Sequence, residues 1–252
     1  MARVDYDRMA GAYAAGRTLP PAGLEPWRAA IRRWLPDDRG GSPALDLGAG
    51  TGQFAAAIAG WFGGRVVAVE PSAGMRVQAA RTHPHPDVVL VGGRGERLPL
   101  RAGCCAWAWV STVVHHLDDP AAAARELRRV LRPGGPVLVR QAFPGRLDGV
   151  TLYRRFFPGA ATIAAELLPT LEQVSDSFAA AGLRVEALES VTQVSALSLA
   201  GYRDKVRLRA DTGLRLLPDQ EFAAGLAGLE RAAAAETTPT PVTDRLDLLV
   251  LR

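Results

Sequence analysis

Apolar positions along the chain fall into two rhythms. Residues 22–35 place Trp27, Ile31, Trp34 and Leu35 at helical spacing, and residues 38–43 break that run. Ala44–Leu47 then reads as a short strand and Gln53–Phe62 as a helix that stops at Gly63-Gly64. The alternation continues through a strand at Arg65–Val69, a helix at Ser72–Thr82, and strands at Asp87–Val91 and Trp107–Ser111. Asp119-Pro120 opens a helix over Ala121–Leu131, and Val137–Phe143 follows as a strand. Alternation on this scale predicts an α/β fold, with a parallel sheet covered by helices on both faces.

The rhythm fails after Phe143. Residues 144–167 show no clear strand. Leu171–Ala181 reads as a helix and Leu183–Val194 as a strand. Ala196–Leu217 and Asp219–Ala235 read as helices, Thr237–Pro241 as a break, and Leu246–Leu251 as a final strand. The expected layout is one domain over 1–252: N-terminal helices to 43, a core over 44–143, a cap with helix and strand elements over 144–235, and a terminal strand within 240–252.

Composition narrows the class. The chain has 252 residues, 48% hydrophobic and 22% charged, as a folded protein should. No stretch approaches the roughly 20 apolar residues of a membrane span, and the first residues alternate charges without an apolar signal core. A cytoplasmic protein without a membrane partner is expected. The net charge is +4, but Lys205 is the sole lysine and the arginines are scattered, so no nucleic-acid partner is expected. Cys104 and Cys105 are adjacent, which disfavours a mutual disulfide, and no Cys/His set has metal spacing.

The sharpest chemical signal is Asp46-Leu-Gly48-Ala-Gly50-Thr-Gly52, between a strand and a helix. Glycines at alternate positions allow positive φ and let a ligand approach the backbone, and the helix start turns N–H groups toward it. The dinucleotide spacing needs a third glycine at residue 53, which is Gln53. No Gly-Lys-Ser/Thr phosphate loop occurs either. Glu70 closes the second strand, 20 residues after Gly50, where a carboxylate can accept from ribose hydroxyls.

These residues resemble the class I S-adenosylmethionine-dependent methyltransferases of the small-molecule type. The resemblance continues in order through Glu70-Pro71 to Met75, Gly93-Arg94-Gly95-Glu96 to Leu100, Val110-Ser111 through His115-His116 to Pro120, and Arg125-Glu126 to Gly135. It implies a Rossmann-like seven-stranded sheet of order 3-2-1-4-5-7-6 with the last strand antiparallel, an N-terminal lid and helical cap insertions. S-adenosylmethionine is the implied cofactor and S-adenosylhomocysteine its product. The implied cofactor residues are Arg17, Asp46, Gly48, Gly50, Gly52, Gln53, Glu70, Pro71, Met75, Arg94, Gly95, Glu96 and Ser111. Two positions depart from the pattern: Arg94 stands where the family has Asp, and Cys105-Ala106 where it has Phe-Asp. Tyr6, Tyr13 and Arg17 resemble the lid segment, whose Arg can meet the cofactor carboxylate.

His115 and His116, at the carboxyl end of the fourth strand, are candidate bases. Tyr13, Tyr153, Phe156 and Phe157 are candidate acceptor contacts. Trp107 and Trp109 share one strand face, as core or as a stacking surface. Arg203 and Arg207 share one helix face and suit either solvent or an acidic acceptor. His83 and His85, in a proline-rich turn, are expected to be solvated. The expected function is methyl transfer to the O, N or C of a small molecule in specialised metabolism. The alternatives are a cyclisation that uses S-adenosylmethionine without transfer, or an RNA methyltransferase.

Overall fold

In the computed structural model, residues 6–37, 40–146, 149 and 151–252 are described, with only the backbone of Tyr6, Arg8 and Thr151. The start of the expected lid (1–5), two residues of the expected break (38–39), and 147–148 and 150 of the segment after the fifth strand lie outside this set.

The elements run α1 (Tyr6–Arg17), α2 (Pro21–Arg32), β1 (Ala44–Leu47), α3 (Gln53–Phe62), β2 (Val66–Val69), α4 (Ala73–Thr82), β3 (Val88–Val91), β4 (Trp107–Ser111), α5 (Pro120–Val130) and β5 (Val137–Gln141). They continue with α6 (Thr151–Phe156), α7 (Pro158–Leu167), α8 (Leu171–Ala179), β6 (Val185–Ala196), α9 (Leu199–Arg207), α10 (Thr212–Leu216), α11 (Asp219–Ala234) and β7 (Val242–Leu251). The seven strands form one sheet of order β3-β2-β1-β4-β5-β7-β6, as expected. Strands β1 to β5 pair in parallel. β7 runs antiparallel to both neighbours.

Alternate residues of the central strands feed two apolar layers. Leu45, Leu47, Val110, Val137 and Val139 pack with Ala124 and Leu127 of α5 and with Val174 and Phe178 of α8. Trp107, Trp109 and Leu138 pack with Trp27 and Ile31 of α2 and Ile58 of α3. Trp107 and Trp109 are therefore core, edge-on to Phe62 and Trp27 respectively, and neither is a stacking surface. A third cluster joins α6, α7, α9, α10 and α11 around Phe157, Tyr202, Leu214 and Leu229.

Local chemistry explains most helix starts. Asp119 accepts from the Ala122 N–H at 2.9 Å ahead of α5. Thr170 and Gln173 form a reciprocal capping box on α8. One expectation needs correction. Ala196–Leu217 is not one helix: it divides at residues 208–211, where Arg209 has φ +45° and Asp211 caps α10 through the Gly213 N–H. The segment after the fifth strand, which showed no strand pattern, supplies α6 and α7. The Cys104 and Cys105 sulfurs lie 3.6 Å apart as free thiols, and burial beside Cys104 pushes the Cys105 thiol up to about 12.

Candidate active site

The glycine loop leaves β1 with Gly48, Gly50 and Gly52 all at positive φ. The three do different work. A Cβ on Gly48 would lie 2.3 Å from Val113, and one on Gly52 would lie 2.9 Å from Ala79. On Gly50 it would meet nothing nearer than a Tyr13 ring carbon at 4.0 Å. Gly48 and Gly52 thus let the loop pack against the protein, while Gly50 leaves bare backbone facing open space.

Two carboxylates flank the loop. Glu70 accepts from the Gly50 N–H at 3.0 Å and from the Ser72 N–H at 2.9 Å. Burial raises its pKa against those two hydrogen bonds. Asp46 is buried, and its Oδ2 has no protein partner. Burial, aided by the charge of Glu70, pushes its carboxyl up to about 8.

α1 lies against the start of α4. Asp7 accepts from the Ser72 hydroxyl at 2.6 Å and from the Gly74 N–H at 2.8 Å. Gln53 clasps the link between α1 and α2: its side chain accepts from the Leu19 N–H at 2.9 Å and donates to the Leu19 carbonyl at 2.8 Å.

Beside the loop opens a cavity of about 290 Å³. Its walls come from the end of α1, the glycine loop, the carboxyl ends of β4 and β5, and parts of β6, β7, α7, α9 and α10. Open α/β sheets bind ligands at these strand ends. Several charged side chains line it. Asp211 accepts from the Tyr153 hydroxyl at 2.7 Å and from Arg17 at 3.1 Å. Lys205 donates to the carbonyls of Thr18 and Ser195, each at 2.5 Å. Arg140 is buried, with its guanidinium over the Trp27 and Phe54 rings at 5.0 and 5.4 Å. It donates to Ser111 Oγ at 3.1 Å and to Gln193 Oε1 at 2.7 Å. Asp244 accepts a short hydrogen bond from the Ser195 hydroxyl, its Oδ1 lacks a partner, and burial raises its pKa.

His115 and His116 line the same cavity, with ring centroids 3.9 Å apart. Burial lowers His115 to about 3, with His116 adding to the shift, and lowers His116 to about 4, with Arg215 and Arg17 adding to it. Both imidazoles are neutral at pH 7.

The sequence-derived residues divide accordingly. Tyr13, Arg17, Asp46, Gly48, Gly50, Gln53, Ser111, Tyr153 and both histidines line the cavity. Phe156 and Phe157 do not: Phe157 is buried against Phe222, and Phe156 packs by Gly228 under Arg155. Phe157, between α6 and α7, is core of the helical cluster, and Phe156 at the end of α6 packs against that cluster. Arg94 pairs with Asp118 at 2.5 Å and with Glu96 at 3.7 Å, while Glu96 accepts from the Asp118 N–H. These two brace the loop after β4. Gly95 is buried against Leu117, Met75 is buried in α4, and Pro71 is exposed with its carbonyl bonded by Arg76. Arg203 and Arg207 pair with Asp204, and Arg207 also with Glu230, so that face is bridged to its neighbours. His83 is not simply solvated, since its Nδ1 lies 2.8 Å from the Thr51 carbonyl oxygen.

Sequence reading missed Arg140, Gln193, Ser195, Asp211 and Asp244. A signal existed for Arg140 and Gln141, two polar residues ending an apolar central strand that is covered on both faces.

Residues 45–139 match the family described as a methyltransferase domain. That segment holds the glycine loop, Glu70 and both histidines. The match supports the resemblance of that segment to class I S-adenosylmethionine-dependent methyltransferases. The chain is 35% identical over 135 residues to a demethylmenaquinone methyltransferase from Corynebacterium kroppenstedtii, covering 53% of this chain and 56% of that protein. A demethylmenaquinone methyltransferase from Mycolicibacterium vanbaalenii is 29% identical over 214 residues, covering 82% of this chain and 88% of that one. An uncharacterized 37.1 kDa protein in transposon TN4556 of Streptomyces fradiae is 41% identical over 106 residues, 41% of this chain and 31% of that one. The chain thus spans about a third of the transposon protein's length and about half of the Corynebacterium protein's. Among solved structures, the fold is shared with the [4+2]-cyclase SpnF at TM-score 0.62 and 20% identity, covering 94% of this chain and 83% of that one. It is also shared with geranyl diphosphate C-methyltransferase from Streptomyces coelicolor A3(2) at TM-score 0.55 and 15% identity, covering 89% and 77%.

Proposed function

We propose that the protein transfers a methyl group from S-adenosylmethionine to a small-molecule acceptor held in the cavity beside the glycine loop. One observation carries this reading: the bare face of Gly50, with Glu70 bonded to its N–H, opens beside a cavity bounded by the carboxyl ends of β4 and β5. The cofactor fits the residues present. Gly50 gives the close backbone approach, each Glu70 oxygen keeps a lone pair for a ribose hydroxyl, and the unpartnered Asp46 Oδ2 suits the cofactor's ammonium group. Arg17, Gln53 and Ser111 complete the proposed cofactor set from the cavity side.

S-adenosylmethionine, when bound, supplies an electrophilic methyl group on a sulfonium. The chain's own work is alignment and exclusion of water. α1 and the Gln53 clasp close one side, and α7, α9 and α10 close the other. His115 and His116 place no positive charge near a cationic sulfonium, because burial keeps both neutral. Imidazoles whose pKa burial lowers are weak bases, so we assign His115 and His116, with Tyr13 and Tyr153, to positioning the acceptor.

The likeness to a [4+2]-cyclase keeps a second reading in play, in which the same cavity shapes a cyclisation and no methyl leaves the cofactor. Product mass decides between them. Incubation with S-adenosylmethionine and candidate acceptors should give products heavier by one methyl group, with S-adenosylhomocysteine formed in equal amount. An isomer of unchanged mass would favour cyclisation. Calorimetry that detects no S-adenosylhomocysteine binding would end both.

A further inference from the structure

Resting on the methyl-transfer reading, the geometry points to an acceptor that carries a carboxylate, which Arg140 receives, and an apolar body that lies along α7.

Among the described residues, Arg140 is the buried cation of the cavity with no carboxylate within 4.0 Å, the ion-pair limit. Arg17 has Asp211, and Lys205 has two carbonyls. Arg140 instead has two neutral acceptors and two aromatic faces. Burial, aided by the positive charge of Arg17, pulls its guanidinium down to about 9, still charged at neutral pH. Its Nε–H has no partner. A guanidinium has five N–H donors and only two are used. The rest suffice for a two-pronged contact with a carboxylate. A charge buried without a counter-charge is strongly destabilising unless a ligand provides one.

The place of Arg140 assigns that counter-charge to the acceptor. The glycine loop follows β1, whereas Arg140 lies on β5, on the far side of β4. Gln193 holds the guanidinium from the side of the sheet remote from the loop. Asp244, the nearby carboxylate, reaches Arg140 only through Ser195 and Gln193. Other parts of the wall are apolar. Ala161, Ala164 and Leu168 share one face of α7 and its end, and Leu214 and Leu246 adjoin the cavity. A cavity lined both by a buried cation and by apolar side chains suits an amphipathic acid.

Benzoate and its neutral counterpart benzamide are suitable probes, titrated into protein saturated with S-adenosylhomocysteine. Wild-type protein should bind benzoate at least about tenfold more tightly than benzamide. Arg140→Gln should abolish that preference, Arg140→Lys should retain part of it, and both should keep S-adenosylhomocysteine affinity within about threefold. Asp244→Asn, which removes a competing negative charge, should tighten benzoate further. Equal binding of the two probes by the wild type, or binding of neither at millimolar concentration, would overturn the inference even if Arg140→Gln fails to fold. Loss of S-adenosylhomocysteine affinity with benzoate preference intact in Arg140→Gln would assign Arg140 to the cofactor instead. A wild type that prefers benzoate but binds no S-adenosylhomocysteine would sink the methyl-transfer reading and leave the anion site standing.

Discussion

At the scale of single residues, the glycine loop separates packing from binding. Gly48→Ala brings a methyl against Val113 and forces positive φ on a non-glycine residue, so it should cost roughly 1–3 kcal/mol of stability. Gly50→Ala pays only the φ strain but places its methyl on the open face. It should leave a smaller drop in Tm and a loss of S-adenosylhomocysteine affinity of tenfold order. Equal effects in both assays would refute the division. Asp46 gives a pH signature. Its folded pKa of about 8 lies above the unfolded value of 3.8, so the folded state holds more protons between these values. Stability of the free protein should therefore fall as pH rises from about 4 to about 8 and level off above. Asp46→Asn should flatten that slope and exceed the wild type at about pH 8 by roughly 1–3 kcal/mol in urea unfolding. The loop residues were legible in sequence because their spacing along the chain is their function. Arg140, Gln193 and Asp244 were not, because only the register of β5, β7 and β6 brings them together.

At the scale of elements, α1 is held by short polar contacts. Asp7 bridges it to α4, and Gln53 clasps the segment that follows it. Exposed contacts of this kind give local stability well below that of the core. Hydrogen exchange over residues 6–17 should be fast in the free protein, faster still in Asp7→Ala, and slowed by S-adenosylhomocysteine. Exchange unaffected by the ligand would separate α1 from the cofactor. Helix starts were readable where a capping side chain announced them, as at Asp119 and Thr170. The break between α9 and α10 was not, because apolar residues continue through it and the positive φ at Arg209 leaves no mark in composition.

At the scale of the molecule, the sheet is completed by the last strand of the chain. β7 lies between β5 and β6, and Leu249 is fully buried in the layer beneath α5 and α8. Leu249→Ala should cost about 2–5 kcal/mol and lower Tm, as for other buried leucines. Full stability in that variant would contradict the inserted strand. The seven-stranded order followed from the resemblance, while the long pairing of β6 with β7, which builds the cavity's far wall, extends beyond the run that apolar pattern marked.

Lys205 carries the chain's sole ε-amine, and that amine is tied to Thr18 at the end of α1 and to Ser195 on β6. Apart from the amino terminus, an amine-directed reagent has one target. Its acylation rate then becomes a clock for how often the joint between the α1 segment and the sheet comes apart. Mass spectrometry of the labelled peptide should show slow modification in the free protein and slower modification with S-adenosylhomocysteine bound. The sequence thus contains a built-in reporter of motion at that joint, and reading it needs no engineered label.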